Sequence, residues 1–448
     1  MRASMPRALA LLAGLAWLAA PPQAGAVMFN PESAVLENGL QVVVIPNHRA
    51  PVVTQMVWYK VGSADEPRGK SGVAHYIEHL MFKATDAYKA GEFHRQVATN
   101  GGVENAFTTQ DYTAYFENVA ADRLELVMSL EAERMAHLKF SEETARPELQ
   151  VVLEERRMRT DNSPAGQLLE QVMRGLFVNH PYGIPIIGWP QEVAALDYRD
   201  AEAFYKIWYA PNNAVLVVAG DVTLAAVKEL AQRYFGPIPS HPVPERKRLL
   251  EPPHHAAVRY DMASDRVRQP SWARYYIAPS YHFGDKEQAY PLQVLAQILG
   301  GGETSRLYRA LVLDGTVASS AGASYDPDDL DYGSFTLAAR PRPSTDIAAL
   351  EQAFEGEVAK LLKDGVSDEE VSRAKSRLQA SAVYNRDSVR RAAQIIGQGL
   401  AIGRTLDEIE SWPERIGAVT AEEVDRAARA VLGDQPPVTS LLRPQQPS

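Results

Sequence analysis

Two copies of one pattern run through this chain, and this repetition constrains its architecture more than any other feature. Trp189-Pro190 precedes a segment that ends in Val215-Leu216-Val217-Val218. Trp412-Pro413 likewise precedes a segment that ends in Val438-Thr439-Ser440-Leu441. The two Trp-Pro pairs lie 223 positions apart. A pattern that returns at such a distance predicts two homologous domains in one chain.

A proline-rich segment separates the two copies. Residues 236–244 contain four prolines, and Pro252-Pro253 follows soon after. Such a segment forms neither a helix nor a central strand, so it is typical of a linker between domains. A chain of 448 residues that is 46% hydrophobic also fits about two globular domains. We therefore predict a first domain at 27–236, a linker at 237–257 and a second domain at 258–448.

Hydrophobic periodicity predicts both strands and helices on each side of the linker. Alternating or continuous apolar runs predict strands at 40–45, 52–61, 215–219, 273–277 and 335–339. Helical spacing of apolar residues predicts helices at 223–234, 348–363, 368–384 and 421–431. Because strands come first and helices gather later, we predict an α+β fold. Each domain would have a mostly antiparallel sheet with helices packed on one face.

The N-terminus has the features of a secretory signal peptide. Arg2 and Arg7 precede an apolar run at 8–20, and Ala24-Gly25-Ala26 is an A-x-A cleavage site. This run is shorter than the roughly 20 residues of a spanning helix. We therefore predict that residues 1–26 are removed and that the mature protein is periplasmic, with no membrane span.

Charge and cysteine content exclude further classes of protein. Losing two arginines with the signal peptide changes the formal charge from −10 to −12, which argues against nucleic acid as a partner. The chain has no cysteine, so it forms neither a disulfide nor a lipid-bearing cysteine.

A histidine pair on one predicted helix is the strongest candidate for chemistry. Residues 72–83 have apolar side chains at helical spacing, with His75, Glu78 and His79 on the opposite arc. Imidazoles four residues apart on a helix can both reach one Zn²⁺ at roughly 2.0 to 2.1 Å. Glu78 lies beside them as a candidate base. Two solvated histidines on a helix surface are the alternative, because a catalytic zinc normally has a third protein ligand.

A second predicted helix, at 142–158, is rich in glutamate. Glu148 and Glu155 are seven residues apart and share a face, whereas Glu154 is rotated by about 100° from Glu155. Pro147 predicts a kink or a fresh start within this segment. A glutamate-rich helix is more often simply a solvated surface, so spacing alone does not assign a role.

The order of these motifs resembles the pitrilysin and insulinase family of zinc peptidases. In both, H-x-x-E-H is followed after about 75 residues by a glutamate that has another glutamate seven positions earlier. The resemblance implies that His75, His79 and Glu155 bind one Zn²⁺ per chain and that Glu148 supports them from outside the ligand shell. It further implies that Glu78 is the catalytic base of an endopeptidase acting on short or unfolded polypeptides.

Two further segments are similar to parts of that family. Residues 100–108 resemble its Gly-Gly-x-x-Asn-Ala-x-Thr strand, which implies that Asn105, Ala106 and Phe107 bind an extended peptide by strand addition. A glycine-turned hairpin without a role is the alternative. Residues 299–308 resemble its glycine-rich segment, and the absence of a following Gly-Lys-Ser/Thr argues against a nucleotide site.

The second copy lacks the residues that this chemistry requires. Its positions matching Glu148 and Glu155 are Ala374 and Ser381, and no histidine pair stands at the matching place. We therefore expect only the first domain to be catalytic. The resemblance implies that the two domains face each other across a cavity.

One departure from the family bears on partners. The family's substrate-binding Arg and Tyr, seven residues apart, fall on Val312 and Ser319 here. We therefore predict a metal-bearing subunit of a heterodimer whose other chain supplies Arg and Tyr, similar to the arrangement in mitochondrial processing peptidase. A homodimer is the alternative assembly. A non-catalytic peptide-binding or assembly subunit of the same fold is the alternative function.

Overall fold

The computed structural model describes residues 28–343, 345–433 and 435–445. The predicted signal peptide at 1–26 therefore lies outside the described residues. Within those ranges, no helix combines the length and the apolar character that crossing a membrane requires.

The described residues form two β-sheets. Their strands are β1 (Glu32–Val35), β2 (Gln41–Pro46), β3 (Val52–Tyr59), β4 (Val103–Thr108), β5 (Thr113–Ala120), β6 (Ala214–Gly220), β7 (Val258–Ser264), β8 (Ser271–Ala278), β9 (Ala318–Asp326), β10 (Gly333–Pro341) and β11 (Val438–Pro444).

Helices follow the early strands of each half. They are α1 (Val73–Leu80), α2 (Glu92–Thr99), α3 (Leu124–His137), α4 (Glu142–Arg156), α5 (Pro164–Leu176), α6 (Pro190–Val193), α7 (Tyr198–Trp208), α8 (Leu224–Tyr234), α9 (Ala289–Gly300), α10 (Arg306–Tyr308), α11 (Ile347–Asp364), α12 (Asp368–Asp387), α13 (Val389–Ala401), α14 (Leu406–Glu410), α15 (Trp412–Ala418) and α16 (Ala421–Ala428).

The two sheets share one topology. The first has the order β1-β2-β6-β3-β5-β4, and the second has the order β7-β11-β8-β10-β9. Without the outermost strand β1, the two orders correspond strand for strand. In each sheet the first of these strands pairs in parallel with the last strand of its half, and the other pairs are antiparallel. The predicted duplicated α+β fold with mostly antiparallel sheets is confirmed.

Local signals of the repeat mark equivalent helices. Trp189 and Trp412 lie at the start of α6 and α15, each with proline in the first turn. Ser141 and Ser367 cap α4 and α12, where each side-chain oxygen accepts a hydrogen bond from a backbone N–H of the first turn.

The two halves exchange helices across their sheets. Helices α1, α3, α7 and α8 pack on one face of the first sheet, and α13 of the second half covers the other face. Helix α5 of the first half covers the second sheet in the same way. Because helices cover both faces of the first sheet, its central strand β6 is buried along its whole length.

The segment between the halves is held by ion pairs. Residues 239–257 contain neither helix nor strand. The Arg248 guanidinium lies 2.8 Å from Asp65 and 3.0 Å from Asp331, and it also contacts Asp111. Asp65 and Asp111 belong to the first half and Asp331 to the second, so this buried arginine ties both halves to the segment. The predicted boundaries 27–236, 237–257 and 258–448 stay a prediction.

Candidate metal centre

Helix α1 has a fixed starting point. Gly72 precedes it with φ of 91°, and a Cβ there would lie 2.7 Å from the carbonyl oxygen of Ile187. The Glu66 carboxylate accepts hydrogen bonds from the backbone N–H of Gly72, at 3.0 Å, and of Ala74, at 2.8 Å. These bonds satisfy N–H groups that have no partner inside the helix. The direction in which α1 presents its histidines is thereby set.

Helix α4 brings the glutamates to α1. The Tyr76 hydroxyl of α1 donates a hydrogen bond to the carbonyl oxygen of Ala145 at 2.5 Å, which links the two helices. Helix α4 begins at Glu142 and continues through Pro147 to Arg156. Of the two effects expected of Pro147, a kink or a fresh start, the fresh start does not occur, since one helix carries both Glu148 and Glu155.

Three side chains from α1 and α4 converge on one point. His79 Nε2 lies 3.1 Å from Glu155 Oε2, and His75 Nε2 lies 3.7 Å from the same oxygen. One ligand atom from each of the three residues lies within 4.8 Å of the others. Ligands of a tetrahedral zinc site lie about 3.3 to 3.4 Å apart at ordinary bond lengths. The observed spacing and the set of two imidazoles and one carboxylate therefore fit a divalent metal ion such as zinc.

Burial and neighbouring charges shift the pKa values of the two imidazoles in opposite directions. Burial, the neighbouring His79 and Arg159 lower the pKa of His75 to about 3, so this imidazole is neutral at physiological pH. Burial also disfavours the charged form of His79, but Glu148, Glu155 and Glu78 outweigh it and raise its pKa. Metal ligation requires neutral imidazole. His75 already has the neutral form that metal ligation requires. His79, whose pKa is raised, must lose a proton before it can bind, and an approaching cation favours that loss.

Glu148 lies outside the ligand cluster and orients His79. Its Oε1 lies 2.8 Å from His79 Nδ1, and its Oε2 lies 2.6 Å from the ammonium of Lys83. A carboxylate at Nδ1 keeps the proton there and directs Nε2 towards the metal position. His75 Nδ1 has no hydrogen-bond partner within the described part of the chain.

Glu78 stands next to the ligands without joining them. The Thr108 hydroxyl donates a hydrogen bond to Glu78 Oε2 at 2.6 Å. Burial raises the pKa of the Glu78 carboxyl, although this hydrogen bond and the charge of His79 oppose the shift. A fixed carboxylate with a raised pKa suits a group that accepts and returns a proton.

Strand β4 borders the site with a free edge. It pairs with β5 on one side and ends the sheet on the other, within the described ranges. Asn105, Ala106 and Phe107 line the same cavity of about 630 Å³ as the histidines. The Asn105 side chain accepts a hydrogen bond from the Ala106 N–H, and the Phe107 ring packs edge-on against Trp58. The Phe107 ring is thus held against Trp58, and the peptide-binding role of residues 105–107 stays a prediction.

Sequence reasoning missed three residues of this site. Lys83 and Arg159 each follow a predicted site residue by four positions, and that helical spacing could have identified both. The Arg159 guanidinium lies 2.7 Å from Glu155 Oε1. The contact between Thr108 and Glu78 joins a strand to a helix 30 residues away, and no local pattern points to it.

Comparison with family models matches most of the chain. Residues 41–189 match the model described as insulinase (peptidase family M16), and residues 195–378 match the model described as peptidase M16 inactive domain. The candidate ligands all lie within the first match.

Individual relatives cover nearly the whole chain. The zinc protease PqqE of Helicobacter pylori is 33% identical over 92% of this chain and 93% of its own length. A probable mitochondrial-processing peptidase subunit beta of Arabidopsis thaliana is 27% identical over 94% of this chain and 80% of its own length. The crystal structure of a protease from Helicobacter pylori superposes with a TM-score of 0.86 at 32% identity, covering 92% of this chain and 99% of that one.

Proposed function

The chain belongs to the insulinase family of peptidases, peptidase family M16, and from this premise we propose that it is a zinc-dependent endopeptidase acting on short or unfolded polypeptides. The observation that carries the proposal is the convergence of His75, His79 and Glu155 beside the partly buried carboxylate of Glu78. Two imidazoles and one glutamate form the ligand set found in catalytic zinc sites.

The chain's own side chains support a hydrolytic mechanism. When bound, a zinc ion supplies Lewis acidity that polarises a peptide carbonyl and makes water a stronger nucleophile near neutral pH. Glu78 accepts the proton of the attacking water and returns it to the departing amine. Thr108 holds Glu78 in position for both transfers. Glu148 keeps the proton of His79 on Nδ1, so that Nε2 is free to bind the ion.

The cavity favours an extended main chain as substrate. An unpaired strand edge recognises the peptide backbone, so it gives affinity without a strict sequence requirement. The lining of the cavity also includes the apolar residues Leu169 and Met173 and the residues 184–187. An unfolded polypeptide exposes both its backbone groups and its apolar side chains along an extended stretch of chain, whereas a folded protein does not.

The substitution Glu78→Gln tests this proposal. It removes the base while keeping the shape of the side chain and all three candidate ligands. We expect the variant to bind zinc like the parent and to cleave an unfolded peptide at less than about one hundredth of the parent rate. Cleavage at the parent rate would rule out Glu78 as the base. Bound zinc without turnover in the parent chain, even after addition of a homologous subunit that supplies Arg and Tyr, would favour a peptide-binding or assembly role.

We further propose that a partner completes the active site. Val312, at the position of the family's arginine, is buried, and Ser319, at the position of its tyrosine, donates a hydrogen bond to the carbonyl oxygen of Arg340. Neither side chain provides a guanidinium or a phenol. A homologous subunit that supplies Arg and Tyr would form a heterodimer with this chain. Full activity of the purified single chain would refute this part of the proposal.

The proposed site of action is the periplasm. Support comes from the N-terminal pattern of arginines, a short apolar run and an A-x-A site. Cell fractionation of a bacterium that expresses the full chain tests it. Export with loss of residues 1–26 is expected, and full-length protein in the cytoplasmic fraction would contradict it.

A further inference from the structure

Arg159 is a cation in the wall of the proposed catalytic cavity. It follows Glu155 by one helical turn, within a short π-helical segment, Arg157–Asp161, that continues α4. Its Nη1 lies 2.7 Å from Glu155 Oε1, and its side chain is 71% exposed. Among the described residues that line this cavity, it is the only lysine or arginine.

The charges around the cavity leave Arg159 without a full counter-charge once a metal ion is bound. The cavity wall also contains the carboxylates of Glu78, Glu155 and Glu170. Arg156 pairs with Glu170 through contacts of 2.7 and 3.1 Å, so Glu170 is already compensated. A divalent cation balances Glu78 and Glu155. The remaining positive charge is that of Arg159, and it faces solvent inside the cavity.

Arg159 also lies close to where a peptide would be cleaved. It forms an ion pair with Glu155, which is one of the three candidate metal ligands. Successive residues of an extended peptide advance by about 3.3 Å. A side chain within about three residues of the scissile bond can therefore reach the guanidinium, which carries five N–H donors suited to a carboxylate.

We propose that Arg159 binds an acidic side chain of the substrate, so that this site prefers peptides with Asp or Glu within about three residues of the cleaved bond. This inference rests on the proposed peptidase function, because it assumes that a peptide lies in the cavity. It assigns Arg159 to substrate selection, a role distinct from merely orienting Glu155.

Peptide binding to the zinc-loaded Glu78→Gln chain tests the inference without requiring turnover. The probes are unfolded peptides that share one sequence and one cleavage site. Each peptide carries a single Glu, Gln or Lys at one of the positions that flank this site. Their dissociation constants are measured by fluorescence anisotropy with Arg159 intact, with Arg159→Gln and with Arg159→Glu. Arg157→Gln is the matched control, because Arg157 belongs to the same segment but pairs with Glu154 outside the cavity. The zinc content of every variant is measured in parallel.

With Arg159 intact, we expect the best-placed Glu peptide to bind about three- to fivefold more tightly than its Gln counterpart. Added salt should reduce that preference. Arg159→Gln should abolish it and Arg159→Glu should transfer it to the Lys peptide, whereas Arg157→Gln should leave it intact. An unchanged preference in Arg159→Gln, or an equal weakening of all peptides, would overturn the inference. Failure of the peptidase function would instead appear as no turnover by the chain that retains Glu78, even with a homologous subunit that supplies Arg and Tyr, while the binding preference is still present.

Discussion

Replacing Glu148 by Gln should weaken zinc binding although Glu148 is not among the three converging ligands. Its carboxylate lies 2.8 Å from His79 Nδ1 and 2.6 Å from Lys83, and its side chain is 12% exposed. Glutamine keeps the shape and one acceptor oxygen but removes the negative charge that makes His79 a stronger ligand. It also leaves the ammonium of Lys83 without its partner beside the site.

The expected size follows from those contacts. Loss of a partner outside the ligand shell typically costs 10- to 100-fold in metal affinity. At room temperature this corresponds to about 1.4 to 2.8 kcal/mol of binding free energy. Because the amide oxygen of the introduced glutamine can still accept a hydrogen bond from His79, we place the expected effect near the lower end, at about tenfold.

Competition with a zinc chelator of known affinity measures this change. Glu154→Gln is the matched control, because Glu154 lies on the same helix, is 55% exposed and pairs only with Arg157 among the described residues. The control should bind zinc like the parent chain. Equal zinc affinity of Glu148→Gln and the parent would refute the reasoning, and so would an equal loss in Glu154→Gln.

Two further predictions concern stability, measured by chemical denaturation. A Cβ at Gly397 would lie 2.0 Å from the Trp58 indole nitrogen, so Gly397→Ala should destabilise the chain by about 1 to 3 kcal/mol. Gly356 has open space around it, so Gly356→Ala should stabilise the chain slightly. Equal effects of the two substitutions on the free energy of unfolding would contradict this reasoning. Hydrogen bonds from Arg306 are the main cause that lowers the pKa of Glu370 from 4.5 to about 2, so its stabilising effect is fully present above pH 4.5 and is lost as the pH falls towards 2. Glu370→Gln should therefore cost about 1 to 2 kcal/mol at pH 7 after allowance for solvent screening, and a cost that persists at pH 2 would contradict the assignment.

Local periodicity was enough to locate part of the regular structure. The helix predicted at 223–234 is α8, Leu224–Tyr234, and the strand predicted at 335–339 lies within β10, Gly333–Pro341. These segments bury one face or both, so their apolar spacing records their geometry. The predicted helix at 142–158 extends past α4 into the π-helical segment, because hydrophobic spacing does not distinguish the two helix types.

Long-range contacts were beyond the sequence patterns. The exchange of α5 and α13 between the sheets and the contacts of Arg248 with Asp65 and Asp331 join residues far apart in the chain. Nothing in the residues around Arg248 indicates its partners, since its segment was predicted only as a proline-rich linker. Packing between distant segments decides these contacts.

In the candidate site, too, local patterns could be predicted from the sequence, whereas long-range contacts could not. His75, Glu78 and His79 form a local motif, and Glu155 entered through the order of motifs along the chain. The structure brings His75, His79 and Glu155 within ligand distance of one another. The link from Thr108 to Glu78 required the folded strand and helix side by side.

Zinc content is the most direct test of the central claim that His75, His79 and Glu155 bind one zinc ion. It is measured by mass spectrometry of the purified, dialysed chain and of the variant Glu155→Gln, with Glu154→Gln as the control. The expected result is about one zinc per chain for the parent and the control, and less than about a tenth of that for Glu155→Gln. A full zinc complement in Glu155→Gln, or none in the parent chain, would contradict the account.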